Sequence, residues 1–174
     1  MKKVLVLFWG KGGNVERVAH KIFAMFDAAQ AELYDLSAFD VSTIKNYDLI
    51  ILGGSTVGAE LWIDVKADNE WNRFFRSVEN IDLTGKYVAF FGLGDQVLYP
   101  NHYVDSLGTF KNEMIKAGVN HIGEWPTEGY RFTDSDGAKG NRFFGLALDE
   151  DRQPELTGER IKKWTGQLKQ EAGI

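Results

Sequence analysis

The sequence predicts an α/β protein built on a doubly wound, largely parallel sheet. Three short segments, residues 4–8, 49–52 and 87–91, are almost continuously apolar, which is typical of parallel strands covered on both faces. Amphipathic helical patterns separate them, and strands that alternate with helices form right-handed βαβ units. Each segment is also followed by glycine within two residues. Together these observations predict one α/β domain over residues 1–174.

The composition disfavours several classes of function. The chain has no cysteine, which removes disulfide scaffolds, thiolate metal sites, iron–sulfur clusters and thiol redox chemistry. Its three histidines are widely separated, and its net charge of −5 disfavours nucleic-acid binding. No apolar run approaches the roughly 20 residues that span a bilayer. The apolar stretch near the N-terminus is too short for a secretory signal, so we expect a cytoplasmic protein.

Weaker patterns complete the order of elements. Residues 31–34, 120–123 and 143–148 are further strand candidates, and Asn14 is predicted to be the N-cap of the first helix. Apolar residues with helical spacing predict four helices between and after the strands. Their apolar stripes are Val15, Val18, Ala19, Ile22, Phe23 and Phe26; Trp71, Phe74 and Phe75; Leu107, Phe110, Met114 and Ile115; and Ile161, Trp164 and Leu168.

The predicted topology indicates where a ligand would bind. In open α/β sheets, ligands lie outside the carboxyl ends of the strands, near the point where the strand order reverses. The glycine-containing loops 9–15, 53–64 and 92–105 follow the three main strands. Each of them alone is also compatible with an ordinary turn. Three such loops at one edge of a sheet predict a ligand site.

The first loop has the character of an anion site. It reads Gly10-Lys11-Gly12-Gly13-Asn14-Val15 and leads directly into a helix. A glycine-rich turn of this kind directs backbone N–H groups and the positive end of the helix dipole at a phosphate or another anion. The segment is neither a Walker A motif nor a G-x-G-x-x-G motif, and a flexible turn without a ligand is the alternative.

The third loop is more distinctive. Gly92 and Gly94 flank a tight turn whose amides are suited to the polar edge of a planar ring. Tyr99 follows a few residues later and is suited to stacking on the face of such a ring. The alternative is that Tyr99 is an incidental surface aromatic.

These segments resemble those of long-chain flavodoxins. Residues 92–96, followed by Tyr99, resemble the G-x-G-D-Q…Y segment of that family, residues 47–53 its third strand, and residues 143–161 its final strand and helix. Residues 124–141 resemble the insertion that distinguishes long-chain members. The resemblance covers essentially the whole chain. It implies a five-stranded parallel sheet in the order 2-1-3-4-5, with helices on both faces and a long insertion that splits the last strand.

The resemblance also implies a function. It implies a low-potential one-electron carrier with non-covalently bound FMN, rather than an enzyme. Its partners would be a flavodoxin reductase-type donor and redox acceptor enzymes, which would dock transiently at the flavin edge near Trp62 and Tyr99. A monomer is the usual state in this family. Tyr99 would stack on the outer face of the ring, and the amides of Leu93, Gly94 and Asp95 would hold its pyrimidine edge.

The remaining contacts implied by the resemblance involve all three loops and the last strand. Residues 56–59 would lie by the inner face of the ring, and Asp151 near the ribityl or phosphate side. The implied cofactor-binding residues are Gly10, Lys11, Gly12, Gly13, Asn14, Val15, Ser55, Thr56, Val57, Gly58, Ala59, Trp62, Leu93, Gly94, Asp95, Tyr99, His102 and Asp151.

The chain departs from the family pattern in two loops. The phosphate loop has no hydroxyl and is one residue shorter. Either Lys11 or the Asn14 side chain compensates, or the loop accepts phosphate through its amides alone, or it no longer binds phosphate. The second loop lacks the usual Pro-Thr-Trp, and Trp62 either replaces that tryptophan or belongs to the core. These departures leave two alternatives: a flavin-free partner-binding or regulatory module, and a flavin-dependent reductase of small molecules. The sequence places no clear proton donor for the reductase chemistry, and only His102 or Tyr99 could be argued for that role.

Overall fold

The computed structural model describes residues 1–55 and 69–174, and within them the main sheet is parallel. Its first five strands are β1 (Val4–Phe8), β2 (Ala31–Asp35), β3 (Leu49–Gly54), β4 (Tyr87–Leu93) and β5 (Asn120–His121). They pair in the order β2-β1-β3-β4-β5, so the strand order reverses between β1 and β3. The predicted fold class and strand order are confirmed.

The fifth strand position is occupied by two short pieces. At one end β5 pairs with Tyr87 and Val88, and at the other end β9 (Leu146–Leu148) pairs with the last three residues of β4. The segment between them contains a small antiparallel sheet of β6 (Trp125–Pro126), β7 (Ala138–Lys139) and β8 (Arg142–Phe143), in the order β6-β8-β7. The expected insertion in the last strand is therefore present.

The helices cover both faces of the sheet. They are α1 (Asn14–Phe23), α2 (Glu70–Val78), α3 (Ser106–Met114) and α4 (Thr157–Ala172). Successive residues of a strand point to opposite faces, so β1 contributes to two cores. Val4 and Val6 pack in one cluster with α1 and α4, whereas Leu5 and Leu7 pack in the other with α2 and α3. None of the helices in the described ranges is long and apolar enough to cross a membrane.

The start of α1 differs from the prediction. Asn14 is the first helical residue, and Gly13 is the N-cap, with an extended backbone. The prediction that Asn14 caps the helix is therefore wrong. Its side-chain oxygen instead accepts a hydrogen bond from the Arg17 guanidinium, one turn further along. Because glycine has no side chain, the first amides of α1 receive no side-chain cap within the described part of the chain.

Candidate functional site

The register of the sheet brings the predicted loops to one edge. Phe8 at the end of β1 pairs with Gly53 of β3, and Gly54 pairs with Gly92 of β4. Leu93, the last residue of β4, pairs with Leu148, the last residue of β9. The carboxyl ends of these four strands therefore lie side by side, and the described loops after β1 and β4 begin at one edge of the sheet. Residues 56–64 of the predicted second loop lie outside the described residues.

The first loop presents backbone donors at this edge. Gly10 and Gly12 have φ angles of 113° and 81°, a conformation that side-chain-bearing residues rarely adopt. The Gly12 amide donates to the Glu16 carboxylate, with a distance of 2.5 Å from N to Oε2. Thus a carboxylate from the first turn of α1 already binds to a loop amide. Lys11 is exposed beside it, and the loop amides together with the Lys11 ammonium suit an anion that displaces Glu16.

The loop after β4 is shaped by an inward-facing carboxylate. Asp95 is only 8% exposed, and its Oδ1 accepts hydrogen bonds from the amides of Val97 and Leu98, both at 2.9 Å. Arg152 binds the same carboxylate, with 2.9 Å between Nη2 and Oδ2. Burial acts to raise the pKa of Asp95, but the Arg152 hydrogen bond and the two amides outweigh it, so the pKa is lowered.

This turn places three large side chains at the surface. Val97, Leu98 and Tyr99 are 57%, 65% and 41% exposed. The Tyr99 amide donates to the Asp95 carbonyl at 3.0 Å, which connects the exposed ring to the buried start of the turn. The Gly94 amide donates to the Leu148 carbonyl at 3.1 Å, so this N–H is already engaged inside the sheet.

A second buried carboxylate joins the β4 loop to the β9 loop. Asp149 has no exposed surface, and its Oδ2 accepts from the amide and the side-chain nitrogen of Gln96, at 3.1 and 2.9 Å. Its Oδ1 accepts from the amides of Asp151 and Arg152, at 3.1 and 2.9 Å. Gln96 in turn accepts a hydrogen bond from the amide of Arg131 in the insertion. The network therefore connects three segments that are distant in sequence.

The insertion packs against the continuation of the β4 loop. The Pro100 carbonyl accepts hydrogen bonds from the amides of Thr133 and Asp134, at 2.7 and 2.9 Å. The Ser135 hydroxyl donates to the Tyr103 carbonyl. The Tyr103 ring is fully buried beneath the loop, with aromatic rings of the insertion around it. One face of the loop is therefore held by the insertion.

The other predicted site residues have varied surroundings. Ser55 is exposed at the end of β3, and Thr56, Val57, Gly58, Ala59 and Trp62 lie outside the described residues. The Val15 side chain packs against the apolar cluster under α1. His102 is 2.9 Å from Asp105, measured from Nδ1 to Oδ2. Asp151 is exposed, and its backbone amide belongs to the Asp149 network.

Sequence reasoning missed two residues of this site. Asp149 and Arg152 follow β9 and hold the loop after β4, although neither was predicted to contribute. The only local signal was a carboxylate placed directly after a continuously apolar strand. The partners of Asp149 and Arg152 in that loop are 53 and 57 residues away in sequence, so local patterns do not indicate them.

Comparisons with known proteins agree with this arrangement. The flavodoxin family model matches residues 6–164. A flavodoxin of Picosynechococcus sp. is 35% identical over 175 residues and covers 100% of both chains. Flavodoxin 1 of Escherichia coli K12 is 39% identical over 167 residues, which are 95% of this chain and 92% of that protein. The crystal structure of Fusobacterium nucleatum flavodoxin bound to flavin mononucleotide has a TM-score of 0.85 and 26% identity, and covers 98% of this chain and 99% of that one. With its glycine-rich loops at one edge of a 2-1-3-4-5 sheet, this chain belongs to the flavodoxin family.

Proposed function

We propose that this chain binds FMN non-covalently at the loop edge of its sheet and carries electrons one at a time between redox proteins. The observation that carries the proposal is that a glycine-rich loop and an exposed aromatic turn follow strands that end at the same edge of the sheet. The β1–β3–β4 register brings the two to one edge. FMN has a phosphate at one end and a planar ring at the other, so it matches both. When bound, the flavin supplies the redox chemistry.

The residues present fit the phosphate end of FMN. The Gly12 amide donates to the Glu16 carboxylate, so it is directed at an anionic oxygen, and a phosphate would have to displace Glu16 from it. The uncapped start of α1 adds further amides and the positive end of the helix dipole. Lys11 adds a full positive charge. In this proposal, Gly10 to Val15 hold the phosphate through the backbone and Lys11, without hydroxyl groups.

The β4 loop fits the ring end. Tyr99 offers an aromatic face at the surface of the loop, and stacking on it would shield one face of the flavin from water. Below it, Asp95 and Asp149 hold the backbone of the loop in place. The role of these residues is to bind and orient the ring, because electron transfer needs no acid or base from the protein.

The same edge is proposed as the docking surface for redox partners. Val97 and Leu98 stand exposed beside Tyr99 and form an apolar patch next to the proposed flavin. The chain has a net charge of −5, which favours association with a partner that has a basic surface around its own redox centre. A reductase-type donor and a redox acceptor enzyme would use this surface in turn, each in a short-lived complex.

The test is a flavin titration of the stripped protein, after a visible absorption spectrum of the protein as purified. We expect a flavin spectrum, tight FMN binding and weaker riboflavin binding. The variant Lys11→Gln should weaken FMN binding about fivefold and leave riboflavin binding unchanged, since an exposed charge pair contributes up to about 1 kcal/mol.

The matched control is Lys45→Gln. Lys45 is also exposed, but it lies before β3, at the opposite end of the strands. This variant removes the same charge and should change neither the FMN affinity nor the riboflavin affinity. A colourless protein that binds neither flavin would refute the proposal and favour a flavin-free partner-binding module instead.

A further inference from the structure

We propose that Arg152 is a positioning residue for the flavin ring, which acts by holding the Asp95 carboxylate and with it the turn that carries Tyr99. The inference rests on the proposed FMN function. Arg152 follows β9, and Asp95 follows β4, so the pair joins two of the loops at the ligand edge.

Arg152 binds the Asp95 carboxylate in a bidentate geometry. The Arg152 Nη2 lies 2.9 Å from Oδ2 of Asp95, and its Nε lies 3.1 Å from Oδ1 and 3.2 Å from Oδ2. This fork geometry restricts the orientation of both groups, which a lysine ammonium at the same place would not do. The Asp95 carboxylate is nearly buried, whereas the Arg152 side chain is 41% exposed.

The same carboxylate determines the shape of the turn. Asp95 Oδ1 accepts from the amides of Val97 and Leu98, and the Asp95 carbonyl accepts from the Tyr99 amide. Any movement of the carboxylate therefore moves the backbone that presents Tyr99. Arg152 thus acts on the ring through Asp95, without contacting the ring itself.

Arg152 is itself fixed at its base. Its backbone amide donates to the buried Asp149 carboxylate at 2.9 Å, so the start of its side chain is held to the β9 loop. Without the guanidinium, Asp95 would keep its two amides but would lose its counter-ion, and water would reach a carboxylate that Arg152 now contacts. Water then competes with the turn amides for the carboxylate, so the turn opens more often. The apparent affinity for the ring is then the intrinsic affinity multiplied by the fraction of molecules in which the turn is closed.

Two single variants separate positioning from simple charge. Arg152→Gln removes the fork and a positive charge. Asp95→Asn removes the fork and a negative charge, but its Oδ1 is still able to accept from Val97 and Leu98. Positioning predicts weaker ring binding in both variants. An effect of charge alone predicts opposite changes in FMN affinity, because FMN is an anion. Riboflavin, which is neutral, reports the ring contacts with little contribution from charge.

The experiment measures riboflavin and FMN affinities of the stripped full chain by flavin fluorescence, with urea unfolding of each apoprotein alongside. We expect Arg152→Gln and Asp95→Asn each to weaken riboflavin binding about tenfold, the usual scale of a lost charge-assisted hydrogen bond. The double variant should be no weaker than either single one, because both remove one shared contact. Arg152→Lys, which keeps the charge without the fork, should lose about threefold.

The matched control is Arg142→Gln. Arg142 is 47% exposed on its side chain and pairs with Glu124 in the insertion, 3.7 Å from Nε to Oε2. Its loss should leave riboflavin affinity unchanged. Unchanged riboflavin affinity in folded Arg152→Gln, or tighter FMN binding in Asp95→Asn, would overturn the positioning role while leaving the FMN function intact. If Arg152→Gln does not fold, unchanged riboflavin affinity in Arg152→Lys would overturn the positioning role instead. Wild-type protein that binds no flavin would reject the FMN function itself.

Discussion

Replacing Asp149 with asparagine tests the buried network that joins the β4 and β9 loops. Each oxygen of the Asp149 carboxylate accepts two hydrogen bonds, two from Gln96 on one side and two from the amides of Asp151 and Arg152 on the other. Asparagine has the same shape but only one accepting oxygen. Whichever way its amide is turned, its NH₂ group faces two N–H donors.

The expected loss of stability follows from this geometry. Two charge-assisted hydrogen bonds are lost, each contributing roughly 1.5–3 kcal/mol, and relaxation of the exposed loop recovers part of that. We therefore expect Asp149→Asn to lower the free energy of unfolding by about 2–4 kcal/mol. For a chain of this length the melting temperature falls by roughly 10 °C.

The assay is urea unfolding of the apoprotein, monitored by circular dichroism. The unfolding free energies of wild type and variant are compared with the same m value, the slope of free energy against urea concentration. The control is Asp151→Asn, which makes the same chemical change at an exposed carboxylate two residues away and should cost less than about 0.5 kcal/mol. A loss below about 1 kcal/mol for Asp149→Asn would show that this network does not hold the two loops together.

Two further predictions concern other parts of the fold. His121 stacks on Phe90 and donates from Nε2 to the Phe144 carbonyl at 2.6 Å, and burial lowers its pKa below the usual 6.5. Because the unfolded chain then binds the proton more readily, folding stability should fall as pH drops below about 6.5, and less so in His121→Gln. Gly137→Ala would place a Cβ 2.3 Å from the Val104 carbonyl oxygen, a backbone atom, so it should destabilise the protein by about 2–3 kcal/mol in urea.

Each of these predictions has a matched control in the chain. His20 is exposed on α1, and His20→Gln is the matched control for the loss of a histidine side chain. If the unfolding free energy changed equally with pH in wild type and in His121→Gln, the prediction for His121 would be contradicted. Gly158 lies in α4 with no described atom within 4 Å of an added Cβ, so Gly158→Ala should be neutral or slightly stabilising. A neutral Gly137→Ala would contradict the close packing of the insertion on residue 104.

Local patterns were sufficient for most of the sheet. Continuous apolar runs located β1, β3 and β4, because strands covered on both faces leave no position for polar residues. They were insufficient for the fifth strand, which was predicted as two longer segments and is observed as the short β5 and β9. Its ends depend on where the insertion leaves the sheet. That point is determined by packing with residues distant in sequence.

The candidate site shows the same division. Glycines after apolar strands indicated the ligand edge, because only the topology of the sheet is needed to place them. The orientation of Asp95 was not predictable in this way. Its carboxylate faces Arg152 and the amides of its own turn. That orientation requires the β9 loop to lie alongside, which is a consequence of the completed fold.

The first loop has a feature that composition alone does not predict. The first loop has no hydroxyl, which suggested a weakened phosphate site. In the structure the Gly12 amide binds the Glu16 carboxylate at 2.5 Å, so the loop backbone is already directed at an anion without any hydroxyl group. Amides, a helix end and the Lys11 charge act largely through electrostatics, which salt screens. The preference for FMN over riboflavin should therefore decrease as ionic strength rises, because salt screens the attraction of these groups for the phosphate.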